Sequence, residues 1–293
     1  MLFKGCCTAL ITPFKTDGSI DFSSFKKIID FQIQNGISAL LFLGTTGEPS
    51  TMTKEERIEV VKFACDYVNG RAKIIIGAGT NSTSTTIDNI NEYSKFNIDG
   101  LLIVTPYYNK CTQNGLIKHY EEICKNTTLP IIIYNVPGRT GFNILPKTYE
   151  TLSKLPNIMG IKEASGNIEQ IIQTIKLCNK NCAIYSGDDG LTIPILSMGG
   201  KGVISVASNI IPYEMSEMCK EYFIGNVEVA CDMQLRYYNL IKLLFSETNP
   251  IPIKAATNFL GLCENVLRLP LTPMEKENFE KLRHELINLK LCK

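Results

Sequence analysis

The chain has 293 residues, 44% of them hydrophobic, which is enough for a large core in one big domain or two ordinary ones. Its 30 basic and 29 acidic side chains leave a net charge of +1, so bulk attraction to nucleic acid or an anionic membrane is excluded and small partners are expected. Two histidines, His119 and His284, lie too far apart in sequence to suggest a metal site or a histidine-assisted nucleophile, and no metal is expected.

In chain order, the opening Met1-Leu2-Phe3-Lys4-Gly5-Cys6-Cys7 lacks the apolar core of a signal peptide. No later apolar run reaches the roughly eighteen residues of a membrane span, so a cytoplasmic protein is expected. A first strand is predicted over 6–11. A helix follows over 21–35, with Phe22, Phe25, Ile28, Ile29 and Ile33 near helical spacing. A second strand over 39–43 leads into Gly44-Thr45-Thr46-Gly47-Glu48. This is either an ordinary glycine turn or a loop whose N–H groups cradle a small carboxylate while its hydroxyls relay a proton. The helix predicted over 53–68 opens with Thr53 and Glu56 at capping-box spacing. After the strand at 73–76, Gly77-Ala78-Gly79 completes neither the dinucleotide fingerprint nor a P-loop, and no nucleotide cofactor is expected.

Strands at 100–104, 131–134, 158–162, 183–185 and 202–205 bring the number to eight, with amphipathic stretches between them. Continuous apolar strands alternating with helices imply a parallel sheet covered on both faces. Eight units at this length favour an α/β fold of the closed (β/α)8 type, a TIM barrel, and an open doubly wound sheet is the alternative. From Glu214 the pattern becomes helical. Glu247-Thr248-Asn249-Pro250-Ile251-Pro252 interrupts it, with prolines that disfavour helix, and amphipathic stretches resume at 253–260 and 274–291. The chain therefore divides into a catalytic barrel, 1–224, and a C-terminal helical region, 225–293. Eleven cysteines, scattered largely through apolar segments such as Phe63-Ala64-Cys65 and lacking any Cys-x-x-Cys pair, fit buried reduced thiols.

In such a barrel the residues just after each strand form the active site. The fourth strand ends in Thr105-Pro106-Tyr107-Tyr108-Asn109. The fifth ends in Tyr134-Asn135-Val136-Pro137-Gly138-Arg139-Thr140-Gly141, and the sixth ends at Lys162. A tyrosine at a strand end is commonly packing, and a lysine commonly keeps its ammonium wet at an apolar rim. Drawn out of water, however, an ammonium loses solvation and its pKa falls below about 10.4, leaving an amine able to attack a carbonyl. Glu163 is not thereby its partner, since strand neighbours point to opposite faces. Hydroxyls, phenols, a guanidinium and a lysine at one end of one barrel together describe Schiff-base chemistry on a keto acid.

At these motifs, and at Gly160-Ile161-Lys162-Glu163-Ala164-Ser165-Gly166, Ser186-Gly187-Asp188-Asp189 and Thr248-Asn249-Pro250-Ile251-Pro252, nearly the whole chain resembles the dihydrodipicolinate synthase family. That family lies within the superfamily of pyruvate-dependent aldolases and N-acetylneuraminate lyases. The resemblance implies that Lys162 forms an imine with pyruvate and that Thr46, with Thr45, holds the pyruvate carboxylate. Thr45, Tyr134 and Tyr108 would form a proton relay, and Arg139 would bind the carboxylate of L-aspartate 4-semialdehyde. Gly187 and Ile204 fall at further substrate-binding positions. In the family the tyrosine matching Tyr108 reaches into the adjacent subunit's site, which implies a homo-oligomer, usually a tetramer built as a dimer of dimers. No cofactor is implied, because the imine nitrogen is the electron sink.

Arg139 favours the synthase over a sialic acid lyase, whose polyhydroxylated substrate calls for uncharged groups there. A departure concerns regulation. Lysine-inhibited members bind lysine in an interface pocket with residues that include a histidine and a glutamate, and the matching positions here are Arg57 and Thr85, with Lys54 nearby, while Asn81 and Tyr107 match. Weak or absent feedback by lysine is the expectation. A non-catalytic keto-acid binder is the alternative from another class.

Overall fold

The computed structural model describes residues 1–291. Eight strands close into a parallel barrel in sequential order: β1 (Gly5–Ala9), β2 (Ala39–Phe42), β3 (Lys73–Gly77), β4 (Gly100–Val104), β5 (Ile131–Asn135), β6 (Ile158–Glu163), β7 (Ala183–Ser186) and β8 (Gly202–Ser205), with β8 returning to pair with β1. This is the (β/α)8 barrel, and closure excludes the open sheet. Each strand is buried on both faces, which is why the strands read as apolar runs rather than alternating patterns.

Strand ends differ from the sequence reading for local reasons. β1 stops at Ala9, although Leu10 and Ile11 remain buried, because the Ile11 N–H turns to the side chain of Asn209 at 3.2 Å. β2 stops at Phe42 because Leu43 adopts a positive φ of 54°, which swings the following loop over the barrel mouth.

The helices begin and end where the side chains allow. Asp21 caps Phe22–Gln34 by accepting from the N–H groups of Ser23 and Ser24. Thr53 and Glu56 form the expected capping box on Lys54–Val68: the Thr53 hydroxyl accepts from the Glu56 N–H at 3.2 Å, and the Thr53 N–H donates to the Glu56 carboxylate at 2.9 Å. Past β8, Pro212–Ile224 is the last barrel helix, and Gly225, at φ +97°, ends it. Helices Val227–Arg236, Tyr238–Leu243, Ile251–Phe259 and Lys276–Asn288 follow. The third of these begins earlier than expected. Pro252 sits in its first turn, where a missing N–H costs nothing, so the proline that suggested a break belongs to the helix start.

Apolar side chains segregate into a large cluster between barrel and helices and a smaller one inside the barrel. The inner cluster is floored by Phe3, whose ring stacks on Tyr185 at 4.2 Å between centroids and whose carbonyl accepts from the Tyr185 hydroxyl at 2.7 Å. The barrel interior is therefore a packed core, with the cleft that contains Lys162 at the carboxyl ends of its strands. Among the described residues no helix is long and apolar enough to cross a membrane, and no three His, Cys, Asp or Glu side chains gather as metal ligands would.

Candidate active site

Strand alternation decides what Lys162 meets. In β6, Lys162 points into the barrel and stands level with Tyr134 of β5 and Tyr185 of β7. Glu163, one residue on, faces the helices instead, where it accepts from the Tyr149 hydroxyl at 2.8 Å, the Ser165 N–H at 2.7 Å and the Asn135 amide. The carboxylate adjacent in sequence is thus spent on holding β6, and among the described residues the lysine is left without an anionic partner in contact. Only 5% exposed, it sits with its Nζ 4.2 Å from the centroid of the Tyr134 ring. Burial lowers its pKa from 10.5 to about 8, with Cys7 and Asp189 opposing and Arg139 assisting.

Tyr134 is buried beside it, and desolvation pushes its phenol up to about 12 against the opposing Arg139 charge. The phenol is therefore neutral near pH 7, able to donate one proton and accept another. Gly187 follows β7 so closely that a Cβ there would lie 3.0 Å from Lys162 Cγ and 3.1 Å from the Glu163 carbonyl oxygen. Any side chain at 187 would push against the lysine stem. Asp189 is buried under the same loop, where its Oδ2 accepts the N–H groups of Val206 and Ala207, each at 3.0 Å.

The loop after β2 forms a short 3₁₀ turn, Thr45–Gly47. It presents Thr45 to the open cleft and buries Thr46, whose Oγ1 accepts from Asn249 Nδ2 at 2.9 Å. That bond leaves the Thr46 hydroxyl proton free to donate. Arg139 rides on the turn Pro137–Thr140 after β5, and its Nη2 donates to the Asn249 carbonyl at 2.9 Å. Asn249 therefore joins a hydroxyl loop to a guanidinium. Its role was missed from sequence, although its motif was noticed, because both contacts span more than a hundred residues.

These groups line two adjoining cavities. One, of about 560 Å³, holds Lys162, Thr46, Gly187, Asp188 and Asn249, and is roofed by Tyr238, Ile241, Lys242 and Phe245 from the C-terminal region. The other, of about 390 Å³, runs toward Arg57, Tyr93 and Tyr107. Thr45, Tyr134, Val136 and Arg139 belong to both. Ile204 is buried in the barrel wall on β8 and lines neither cavity. Tyr108 is not brought to Lys162 within the chain: it is 90% exposed, at a φ of 69° that is unfavourable for a bulky residue. Of the positions that the resemblance matches to a lysine-binding pocket, Arg57 and Tyr107 face the smaller cavity, while Lys54 pairs with Glu92 at 3.2 Å and the Thr85 hydroxyl bonds Ser82 at 3.1 Å.

A buried lysine of lowered pKa, a neutral phenol against it, hydroxyls at one side and a guanidinium at the mouth suit imine chemistry on a small oxo acid. The model of the dihydrodipicolinate synthetase family matches residues 2–289. A 4-hydroxy-tetrahydrodipicolinate synthase of Alkaliphilus oremlandii is 53% identical over 97% of this chain and 98% of its own. The crystal structure of dihydrodipicolinate synthase from Thermotoga maritima superposes with a TM-score of 0.97 at 45% identity, over 99% of this chain and 100% of that one. The chloride-inhibited dihydrodipicolinate synthase of Acinetobacter baumannii, complexed with pyruvate, gives 0.96 at 39% identity over 99% of each chain. The chain belongs to the dihydrodipicolinate synthetase family.

Proposed function

We propose that the protein condenses pyruvate with L-aspartate 4-semialdehyde through a Schiff base at Lys162, yielding 4-hydroxy-tetrahydrodipicolinate with net loss of one water. The observation that carries this reading is the burial of Lys162, with no carboxylate in contact among the described residues and a pKa of about 8, which leaves a useful fraction of neutral amine near neutrality. The amine attacks the pyruvate carbonyl and water leaves. Thr45 and Thr46 hold the carboxylate, and Tyr134 moves protons at the carbonyl oxygen. The protonated imine draws electrons from the methyl group, which loses a proton to become an enamine. The enamine carbon bonds to the aldehyde carbon of the semialdehyde, whose carboxylate is held by Arg139; the aldehyde π bond opens and its oxygen takes up a proton, balancing the one lost from the methyl group, to become the 4-hydroxyl. The substrate amino group then displaces Lys162 from the imine carbon, closing the ring and restoring the free amine.

Arg139 at the mouth supports the synthase over cleavage of a polyhydroxylated sugar acid, for which a fixed cation offers no match. The exposed and strained Tyr108 supports a relay completed in an adjacent copy, in a homo-oligomer and by family resemblance a tetramer, acting in the cytoplasm. Incubation with pyruvate and borohydride, followed by peptide mass analysis, tests the reading. A reduced pyruvate adduct on Lys162, together with consumption of semialdehyde, is expected. An unmodified Lys162 under those conditions rules out the enzyme in favour of a keto-acid binder.

A further inference from the structure

Glu48 closes the hydroxyl loop in a conformation it would not choose alone. It stands at φ 55°, left-handed, between the 3₁₀ turns Thr45–Gly47 and Pro49–Thr51, and it is not a glycine. Such a backbone persists only where its surroundings fix it. What fixes it lies outside the barrel. Lys254, in helix Ile251–Phe259 and fully buried, places its Nζ 2.5 Å from Glu48 Oε1, and the Arg268 N–H donates to Glu48 Oε2 at 3.2 Å. The contact with Glu48 is ionic. The aligned hydrogen bond of the Lys254 ammonium goes to the Val266 carbonyl at 2.8 Å, and the charge sits 4.1 Å over the Phe14 ring. Burial lowers the pKa of Lys254 while Glu48 opposes that shift.

The same segment, 249–254, carries Asn249, which holds Thr46. One segment thus grips the loop at the Thr46 hydroxyl and at its end. An ion pair this deep is a poor device for stability, since apolar residues of equal volume commonly serve as well, but it fixes direction in a way apolar packing does not.

We infer that Glu48 and Lys254 are positioning residues for Thr45 and Thr46, so that affinity for the 2-oxo acid is set by a helix outside the barrel. They touch neither substrate. They act by holding the loop in the one conformation that presents both hydroxyls to the cleft. The inference rests on the reading that pyruvate binds at Lys162, and the test separates the two.

Glu48→Gln combined with Lys254→Met removes both charges at nearly constant volume. Pyruvate KM, measured per site titrated by borohydride trapping, is expected to rise about tenfold, the equivalent of losing one or two well-placed hydrogen bonds. The KM for semialdehyde and the trapping rate at saturating pyruvate are expected to stay within about threefold, because Arg139 bonds a backbone carbonyl and Lys162 is carried by β6, and neither touches the two substituted side chains. A purely structural pair would lower the melting temperature or the number of titratable sites and leave KM per site unchanged. A folded double variant with the wild-type pyruvate KM overturns the inference. If the double variant does not fold, Glu48→Gln alone, which keeps an amide oxygen toward Lys254, is read in the same way: a raised KM supports the inference and an unchanged one overturns it. Failure of the wild type to trap pyruvate would instead defeat the functional reading.

Discussion

Among the described residues the molecule buries two lysines, and they do opposite things. Lys254 is 0% exposed and finds a carboxylate and a carbonyl; Lys162 is 5% exposed and finds the face of a phenol ring. Both pay desolvation, yet among the described residues Lys254 has a counterion in contact and Lys162 has none. Burial alone therefore does not make an amine reactive. What distinguishes Lys162 is that strand alternation turns the nearest carboxylate, Glu163, to the other side of the wall, where Tyr149, Asn135 and Ser165 occupy it.

The comparison breaks if Lys162 proves dispensable. Lys162→Met is expected to lower kcat/KM for condensation by roughly 10⁴-fold or more, as removal of an essential nucleophile commonly does. The same change should stabilise the protein. A lysine whose folded pKa is about 8 binds fewer protons than the unfolded chain between pH 8 and the ordinary lysine range. Wild-type stability therefore rises with pH through that window, and below it the buried amine costs its full penalty, roughly 3 kcal/mol. Chemical denaturation at pH 7 and pH 10 checks this: the advantage of Lys162→Met should be largest at pH 7 and shrink toward pH 10.

Arg139→Ala tests whether the two substrates are held separately. It should reduce kcat/KM for semialdehyde about 10- to 100-fold, the worth of a charge-assisted contact, while pyruvate trapping on Lys162 persists. Equal loss of both steps would make Arg139 structural. The smallest effect is expected for Asn249→Ala, which removes the bond to the Thr46 hydroxyl and keeps the backbone carbonyl that Arg139 uses. Steady-state kinetics should show pyruvate KM raised about 2- to 10-fold with semialdehyde KM little changed.

Much of this was legible in the sequence where the signal is local. The capping box at Thr53 and Glu56, the helix bounded by Asp21 and Asn35, and the opposite facing of Lys162 and Glu163 follow from spacing alone, and each stands in the structure. The eight-unit count gave the barrel for the same reason. What spacing could not show is contact across the chain. The segment holding Asn249 read as an interruption before the amphipathic stretch that carries Lys254, because Pro250 and Pro252 are poor helix residues, and nothing local marks Pro252 as the first turn of a helix whose Lys254 reaches Glu48 just after Asn249 has reached Thr46. The ending of β2 at Phe42, one residue before Leu43, was likewise hidden, since a positive φ in a leucine is dictated by the loop it serves.

The most direct test of the claim that an unpaired, buried amine is the reactive group is the pH dependence of pyruvate trapping on Lys162. With borohydride, saturating pyruvate and short reaction times between pH 6 and pH 10, the rate of adduct formation should rise with a midpoint near 8. A midpoint at about 10.4, the value of an ordinary solvated lysine, would contradict the account.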